Sequence, residues 1–389
     1  MNRSEAVARS LRETEPHRLL AVLRASLAEH YGAVSTELLL ADYGLTVLCH
    51  VTDSDRERVG RFSVFNSVVG RVFGSQEPFV ERRSAPGVVA VHVPVTVRGD
   101  RLGVLTVETE DAERAQADLH ELRWIADILG HALLVAERDT DIYRVLRRSD
   151  RLTLAAEMQW DLLPGRAYEC PEYSIGAQLE PAYAVHGDNF DWAAGTDRLV
   201  LAVTNGMGEG VEASLLTSLA VNALRNARRG GVALADQIAL ADKAVYALHG
   251  GERYLDVLLL GFDLETGRVE VVDAGSPRLY ILRGGRVFQL PFEAQLPVGM
   301  AEDSVYDTQD FDVEPGDRLV FVSDGVFDSR TGLGESFGER ALARAILATR
   351  LLPAASVPQE VLRHLSAYQE GDEMFDDALV VCLDWRGRA

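Results

Sequence analysis

The chain has 389 residues, 47% of them hydrophobic and 25% charged, with a formal net charge of −21. Length and composition suit a globular chain of two or three domains, and the acidic surplus argues against a nucleic-acid partner, whose phosphates demand Lys and Arg. No apolar run approaches the ~20 residues of a membrane helix, and the start, MNRSEAVARSLRETEPHR, has no apolar signal-peptide core.

Residues 16–137 read as one α+β sheet domain. PHRLLAVLRASLAEHY has apolar residues at helical spacing, and VSTELLLA and LTVLCHV form a strand pair joined through Asp42 and Gly44. SVVGRVFGSQEPFV gives a short helix ending near Gly74. VVAVHVPVTV and LGVLTVET are further strands, linked through Arg98 and Arg101, and a long helix begins near Ala115. On SVVGRVFGSQEPFV and VHVPVTVRGDRLGVLTVE, the segment resembles a GAF domain over about 120 residues. That resemblance implies a signal-sensing module, either with an unknown small ligand under its sheet or with none. The cyclic-nucleotide signature Asn-Lys-x-Phe-x-x-x-Asp-Glu is absent, and no residue is assigned as a ligand contact.

Helical sequence runs almost throughout 115–163, apart from Gly130. Within it, Ile142, Val145, Ser149, Leu152, Ala156, Gln159 and Leu163 recur in steps of three and four. Two readings stand for the helical linker 138–165: a parallel coiled coil that makes a homodimer, or an amphipathic helix packed on its own domain. Leu-Leu-Pro-Gly at 162–165 ends it, because Pro cannot continue a helix.

The third domain, 166–387, is strand-rich: YSIGAQLEPA, DRLVLAVTN, DVLLLGFDL, RVEVVDAG, RLYILRGG, DRLVFVSDG and DALVVCLDW. Helical stretches at about 210–229 and 234–249, and a shorter pair at about 338–369, interrupt it. Many antiparallel strands with helices predict a two-layer β sandwich flanked by helices. Acidic clusters sit at the strand ends: HGDNFDW at 186–192, TNGMGEG at 204–210, VSDGVFD at 322–328 and MFDDALV at 374–380. Any one of them alone is an ordinary turn. Gathered together, they would repel unless a hard divalent cation sat among them.

This ordered set resembles the PPM (type 2C) protein phosphatases of the SpoIIE/RsbU branch. The branch pattern Gly-Gly-Asp-x-x-Asp, Asp-x-Met-Gly-x-Gly, Asn-Ala-Gly-His-x-Pro, Thr-Asp-Gly and Asp-Asp is met in order. It falls on His186 to Asp191, Asn205 to Gly210, Asp273 to Pro277, Ser323 to Gly325, and Asp376 with Asp377. AEMQWDLLPG at 156–165 is similar to the segment preceding the domain in that branch. The resemblance implies an αββα sandwich and hydrolysis of phosphoserine or phosphothreonine, with a phosphorylated STAS-domain anti-sigma-factor antagonist as partner. It also implies two Mn²⁺ or Mg²⁺ ions and a metal-bound water as nucleophile, so that no protein nucleophile is needed. Carried over by position, the metal ligands are Asp188, Asn205, the Gly206 carbonyl, Asp324 and Asp377.

The pattern departs from the branch at its centre. Asn205 stands where an aspartate should bridge both cations, and a carboxamide offers one acceptor oxygen beside two N–H donors. The expectation is a weakened site with one ion or none, or a pseudophosphatase that binds the same partner as a regulatory module. Asn205-Gly206 is also a deamidation-prone pair, which would restore an aspartate. Glu209 and Asp191 are nearby carboxylates that either recruit a cation by another geometry or are simply solvated. His186 for Gly, Ser276 for His and Ser323 for Thr are further departures; His186 either reaches the metal region or is a plain surface histidine. The three cysteines, Cys49, Cys170 and Cys382, are far apart and odd in number, which fits buried thiols in a reducing, cytoplasmic setting.

Overall fold

The structure, a computed structural model, describes residues 2–52, 60–85, 87–148, 153–180, 185–275, 277–330, 334–369 and 376–388. Two compact units result, Met1–Arg151 and Leu152–Ala389. Among the described residues, no helix is long and apolar enough to cross a membrane.

The first unit begins with helices α1 (Arg3–Glu13) and α2 (Leu19–Tyr31). Strands β1 (Ser35–Ala41), β2 (Val47–His50) and β3 (Arg61–Ser63), helix α3 (Val68–Ser75) and strands β4 (Phe79–Arg82), β5 (Val89–Val97) and β6 (Asp100–Thr109) follow. Helices α4 (Ala112–Ala117), α5 (Leu119–Ala136) and α6 (Ile142–Leu146) complete it. The six strands form one antiparallel sheet in the order β3-β2-β1-β6-β5-β4. Alternate residues of β1 and β6 face opposite sides, as a pleat requires. Leu38, Leu40 and Leu105 join the core under α1, α2 and α5, while Leu39 and Val104 join a smaller core under α3.

Helix α5 buries Leu122, Ile125, Ala126, Leu129, Gly130, Leu133 and Ala136 along one face. Gly130 does not interrupt it. A Cβ at that position would sit 2.8 Å from Val97 Cγ2, so glycine is what lets α5 approach β5. The near-continuous helix expected over 115–163 is not found. The chain leaves α5 at Ala136 and turns through 137–141 before the short α6. Local side chains hold α6 back against its own unit. Tyr143 is buried and donates to the Pro16 carbonyl, and Arg147 donates to the Ala41 carbonyl and to Glu137. Ser149 and Leu152 of the heptad pattern lie outside the described residues.

The second unit opens on α7 (Leu154–Leu162), then β7 (Ala167–Glu169), β8 (Tyr173–Glu180), β9 (Asn189–Ala194) and β10 (Arg198–Gly206). Helices α8 (Gly210–Arg229) and α9 (Leu234–His249) precede β11 (Leu255–Asp263), β12 (Arg268–Ala274), β13 (Arg278–Arg283), β14 (Arg286–Leu290), β15 (Gln309–Asp312) and β16 (Arg318–Val322). Helices α10 (Asp324–Phe327), α11 (Phe337–Arg340), α12 (Leu342–Ala348) and α13 (Val357–Tyr368) lead into β17 (Ala378–Trp385). Two antiparallel sheets form, β15-β12-β11-β10-β9 and β14-β13-β16-β17-β8-β7.

Strand alternation sorts the side chains into layers. Leu201, Val203, Leu258 and Leu260 from one sheet meet Leu319, Phe321, Leu379 and Val381 from the other in a shared core. The intervening Val200, Ala202, Val257 and Leu259 face out onto α8 and α9. Val320, Val322, Val380 and Cys382 face the opposite way, onto α10 to α13. The result is an αββα sandwich, as expected. In α7, Ala156 and Gln159 are buried within this unit, so that part of the heptad pattern packs on its own domain.

Arg318 ties the edges of these layers together. From β16 it pairs with Asp384 of β17, and it also donates to the carbonyls of Thr349 and Leu352 behind α12. Arg318→Ala leaves two carbonyls and a half-buried carboxylate without their donor. It is expected to cost about 3 kcal/mol, at the low end for breaking a buried pair because Asp384 keeps some solvent. Urea unfolding of the variant beside the native chain measures this.

Candidate metal centre

The sheet registers explain why distant carboxylates converge. Thr204 of β10 pairs with Asn189 of β9, so continuing that register by one residue sets Asp188 opposite Asn205. In the other sheet Val322 of β16 pairs with Val380 of β17, which brings Asp324, just past β16, near Asp377, just before β17. Both ladders stop at the same end of the sandwich. Asp188 feels the charges of Asp377, Asp324 and Asp376 there.

Asp377 is held by a ring of donors. Its Oδ2 accepts the backbone N–H groups of His186 at 2.9 Å and Gly187 at 3.0 Å, and the Gln159 amide at 2.9 Å. Successive backbone N–H groups around one oxygen form an anion-binding nest, and it needs Gly187 at φ +93°, a region that L side chains avoid. Gln159 also donates to the Asp188 carbonyl at 2.7 Å, and its own Oε1 is buried without a partner. Sequence reasoning placed Gln159 on a heptad seam and missed this role. Its position within AEMQWDLLPG was the available signal.

Asn205 behaves as its chemistry dictates. Its Nδ2 donates to Asp324 Oδ1 at 2.6 Å, and the Gly325 N–H donates to the same oxygen at 2.9 Å. With Asn205 turned the other way, two acceptor oxygens would face each other. The amide therefore contacts directly a carboxylate that an aspartate could approach only through a cation. Burial pushes Asp324 up from the ordinary carboxylate range, against the two donors that favour its anion.

Asp188 is the opposite case. It is fully buried, and neither carboxylate oxygen makes a well-formed hydrogen bond, although the Ser323 hydroxyl lies near enough to favour the anion. Burial first, then the neighbouring Asp377 charge, drive its carboxyl well above the usual range. Burial and Asp324 likewise push Asp376 up to about 6, opposed by the adjacent His186. Among the described residues, no three His, Cys, Asp or Glu side chains form a ready-made ligand cage. The reason is visible in the hydrogen bonds: Asp377 is turned into its nest and Asp324 toward Asn205. In this arrangement Asp188 is the one carboxylate of the three without a well-formed hydrogen bond, and residue 205 offers a neutral amide where a bridge between two cations would need an anionic oxygen.

The remaining carboxylates resolve differently. Asp191 is neither a cation recruiter nor solvated. It is buried, with Oδ1 taking Arg225 at 2.8 Å and Oδ2 taking Arg228 at 2.8 Å. Glu209 is exposed at the start of α8. His186 is not a plain surface residue; its Nδ1 lies 3.4 Å from Asp376 Oδ1. Ser323 is buried and ties the Asp377 carbonyl to the Leu379 N–H. Ser276 lies outside the described residues.

A two-sheet sandwich with helices on both faces and acidic strand ends gathered at one end defines the PPM class of phosphatase folds. The sequence model of the family described as Stage II sporulation protein E (SpoIIE) matches residues 195–386, which places this C-terminal unit in the SpoIIE family. The match begins after Asp188, so the place of that residue rests on the geometry. Protein IcfG of Synechocystis sp. is 24% identical over 260 residues, covering 58% of this chain and 40% of IcfG. Phosphoserine phosphatase RsbU of Bacillus subtilis is 21% identical over 248 residues, covering 63% of this chain and 72% of RsbU. Among solved structures, a SpoIIE fragment from Bacillus subtilis with its phosphatase domain and part of its regulatory domain aligns at 14% identity. It covers 79% of this chain and 82% of that one, with a TM-score of 0.49. The RsbU and RsbW domains of Rv1364c from Mycobacterium tuberculosis align at 21% identity, over 56% of this chain and 63% of that one, also at 0.49.

One acidic group beside the centre gives a pH signature. Burial raises Asp273 from 3.8 to about 6, with Asp256 adding to the shift and the Gly275 N–H opposing it. Between those values the native state holds a proton that the unfolded chain has released, so stability falls as pH rises from about 4 to about 6. Asp273→Asn is expected to remove this contribution to the fall. Urea midpoints measured across that range for both proteins check it.

Proposed function

We propose that the C-terminal unit is a PPM-type protein serine/threonine phosphatase domain whose centre is weakened to a single divalent cation. Its substrate is a phosphoserine or phosphothreonine on a STAS-type anti-sigma-factor antagonist, and a GAF-like N-terminal sensor regulates it. The observation that carries the reading is Asp188, a buried carboxylate without a well-formed hydrogen bond among other carboxylates. Burial drives such a group to its neutral form unless a cation is bound beside it, and a bound cation restores the carboxylate. The SpoIIE-family match and the similarity to a phosphoserine phosphatase, RsbU, support the reaction class.

Asp188, Asp324, Asp377 and the Gly206 carbonyl are the residues that would hold Mn²⁺ or Mg²⁺. The bound cation supplies charge neutralisation at phosphoryl oxygens and activation of water. Gln159 and the 186–188 backbone hold Asp377 Oδ2 in one fixed orientation at the rim of the centre. Asn205 holds Asp324 in place without bridging a second ion, so turnover falls far below that of a two-cation site. A second reading has its own support. The Asn205–Asp324 hydrogen bond already satisfies one would-be ligand, which favours a pseudophosphatase that binds the phosphoprotein as a regulatory module.

Assay of the full chain with Mn²⁺ and p-nitrophenyl phosphate separates these. Asn205→Asp is expected to raise turnover by about 100-fold or more, and Asp188→Ala to abolish it in either background. Weak native turnover that Asp324→Ala abolishes supports the enzyme; a silent native chain with an active Asn205→Asp variant supports the binding module. An Asn205→Asp variant no faster than the native chain contradicts the role given to that residue.

A further inference from the structure

A cleft of about 340 Å³ opens next to the metal centre and shares Asp324 with it. Asp273 at the end of β12, Arg278 at the start of β13, Gln289 at the end of β14, and Phe327 and Asp328 at α10 form its walls. That volume takes a phosphorylated side chain with its flanking backbone. Three of these lining side chains are carboxylates, and Arg278 is the one cation among the described lining residues.

Arg278 is held in a defined place. Its guanidinium lies over the Phe327 ring, 3.5 Å from the centroid. Phe327 belongs to the same helical turn as Asp324, so the stack ties the cation to the element that carries the shared carboxylate. Pro277 fixes the backbone just before it. Stacking uses the flat face of a guanidinium and leaves its in-plane N–H groups for hydrogen bonds, of which the neighbouring Tyr280 hydroxyl takes a share. Among the described residues no carboxylate lies within 4.0 Å of that fork.

A cleft walled by carboxylates rejects an anion unless a cation is presented to it. A basic ligand would bind such walls without help and would be repelled by Arg278. The fork instead matches the paired oxygens of a phosphoryl group. We infer that Arg278 is the substrate-anchoring residue of this cleft, receiving the phosphoryl oxygens of a phosphoserine or phosphothreonine side chain while its ester faces Asp324. This deepens the phosphatase reading and rests on it.

Calorimetry on the full chain tests the inference, with inorganic phosphate and O-phosphoserine as probes and Mn²⁺ binding as a separate readout. Arg278→Ala is expected to weaken both anions by about 10- to 100-fold and to leave Mn²⁺ affinity unchanged. Arg278→Lys should recover part of the loss, since it keeps the charge without the fork. Asp188→Ala should do the reverse, losing Mn²⁺ while binding phosphate in the absence of metal as the native chain does. Should Arg278→Ala fail to fold, Arg278→Gln keeps much of the length and answers the same question. Phosphate affinity unchanged in a folded Arg278→Ala or Arg278→Gln variant overturns the inference. So does a native chain that ignores phosphate or binds acetate equally well. Loss of Mn²⁺ binding by the native chain counts against the metal centre and leaves the phosphate result readable.

Discussion

A carboxylate cut off from water and left without a well-formed hydrogen bond is the constraint on which the rest of this unit turns. Asp188 lies at the meeting of two sheets with other acidic side chains around it. Folding places it there because the β9–β10 ladder ends one residue short of it, and the shared core of the sandwich fixes how the sheets face each other. The repulsion this creates is offset unevenly. Asp377 receives a nest and an amide, Asp324 receives Asn205 and a backbone N–H, and Asp188 has only the nearby Ser323 hydroxyl and no well-formed hydrogen bond. Local hydrogen bonding thus treats the carboxylates unequally, and on the proposed reading a cation would make up the difference at Asp188.

In the proposed centre, Asn205 decides what a bound cation can do. A bridging carboxylate would put an anionic oxygen between two +2 charges, which otherwise repel strongly at short range. The amide places an N–H donor there and spends it on Asp324. In the proposed centre the same contact would weaken the second position and preorganise the first, because it stops Asp324 from swinging away. Helix α7 adds to this preorganisation through Gln159, which reaches both the Asp377 side chain and the Asp188 backbone. The first helix of the unit is therefore mechanically part of the centre, although its sequence reads as an ordinary amphipathic helix.

Much of this architecture is legible in the amino-acid sequence. Apolar runs such as RLVLAVTN and DALVVCLDW foretell strands buried on both faces, and the helices at 210–229 and 234–249 appear where their periodicity puts them. The acidic strand ends are legible as a set because their order is fixed by motif. The rest depends on partners remote in sequence. The turn at 137–141 follows from Tyr143 and Arg147 gripping residues over a hundred positions away. Asp191 reads as either a cation recruiter or a solvated carboxylate, yet two arginines on α8 claim it. Arg278 carries no signal in a single chain; only its stack on Phe327 in a cleft shared with Asp324 draws it out.

The central claim is a count of ions. Crystals grown with Mn²⁺ and measured at the manganese absorption edge would locate each ion directly by its anomalous scattering. The account predicts a single peak beside the Asp188 carboxylate, with the Asn205 amide still on Asp324, and a second peak only in the Asn205→Asp variant. Two peaks bridged through residue 205 of the native chain, or none near Asp188 at saturating Mn²⁺, would contradict it.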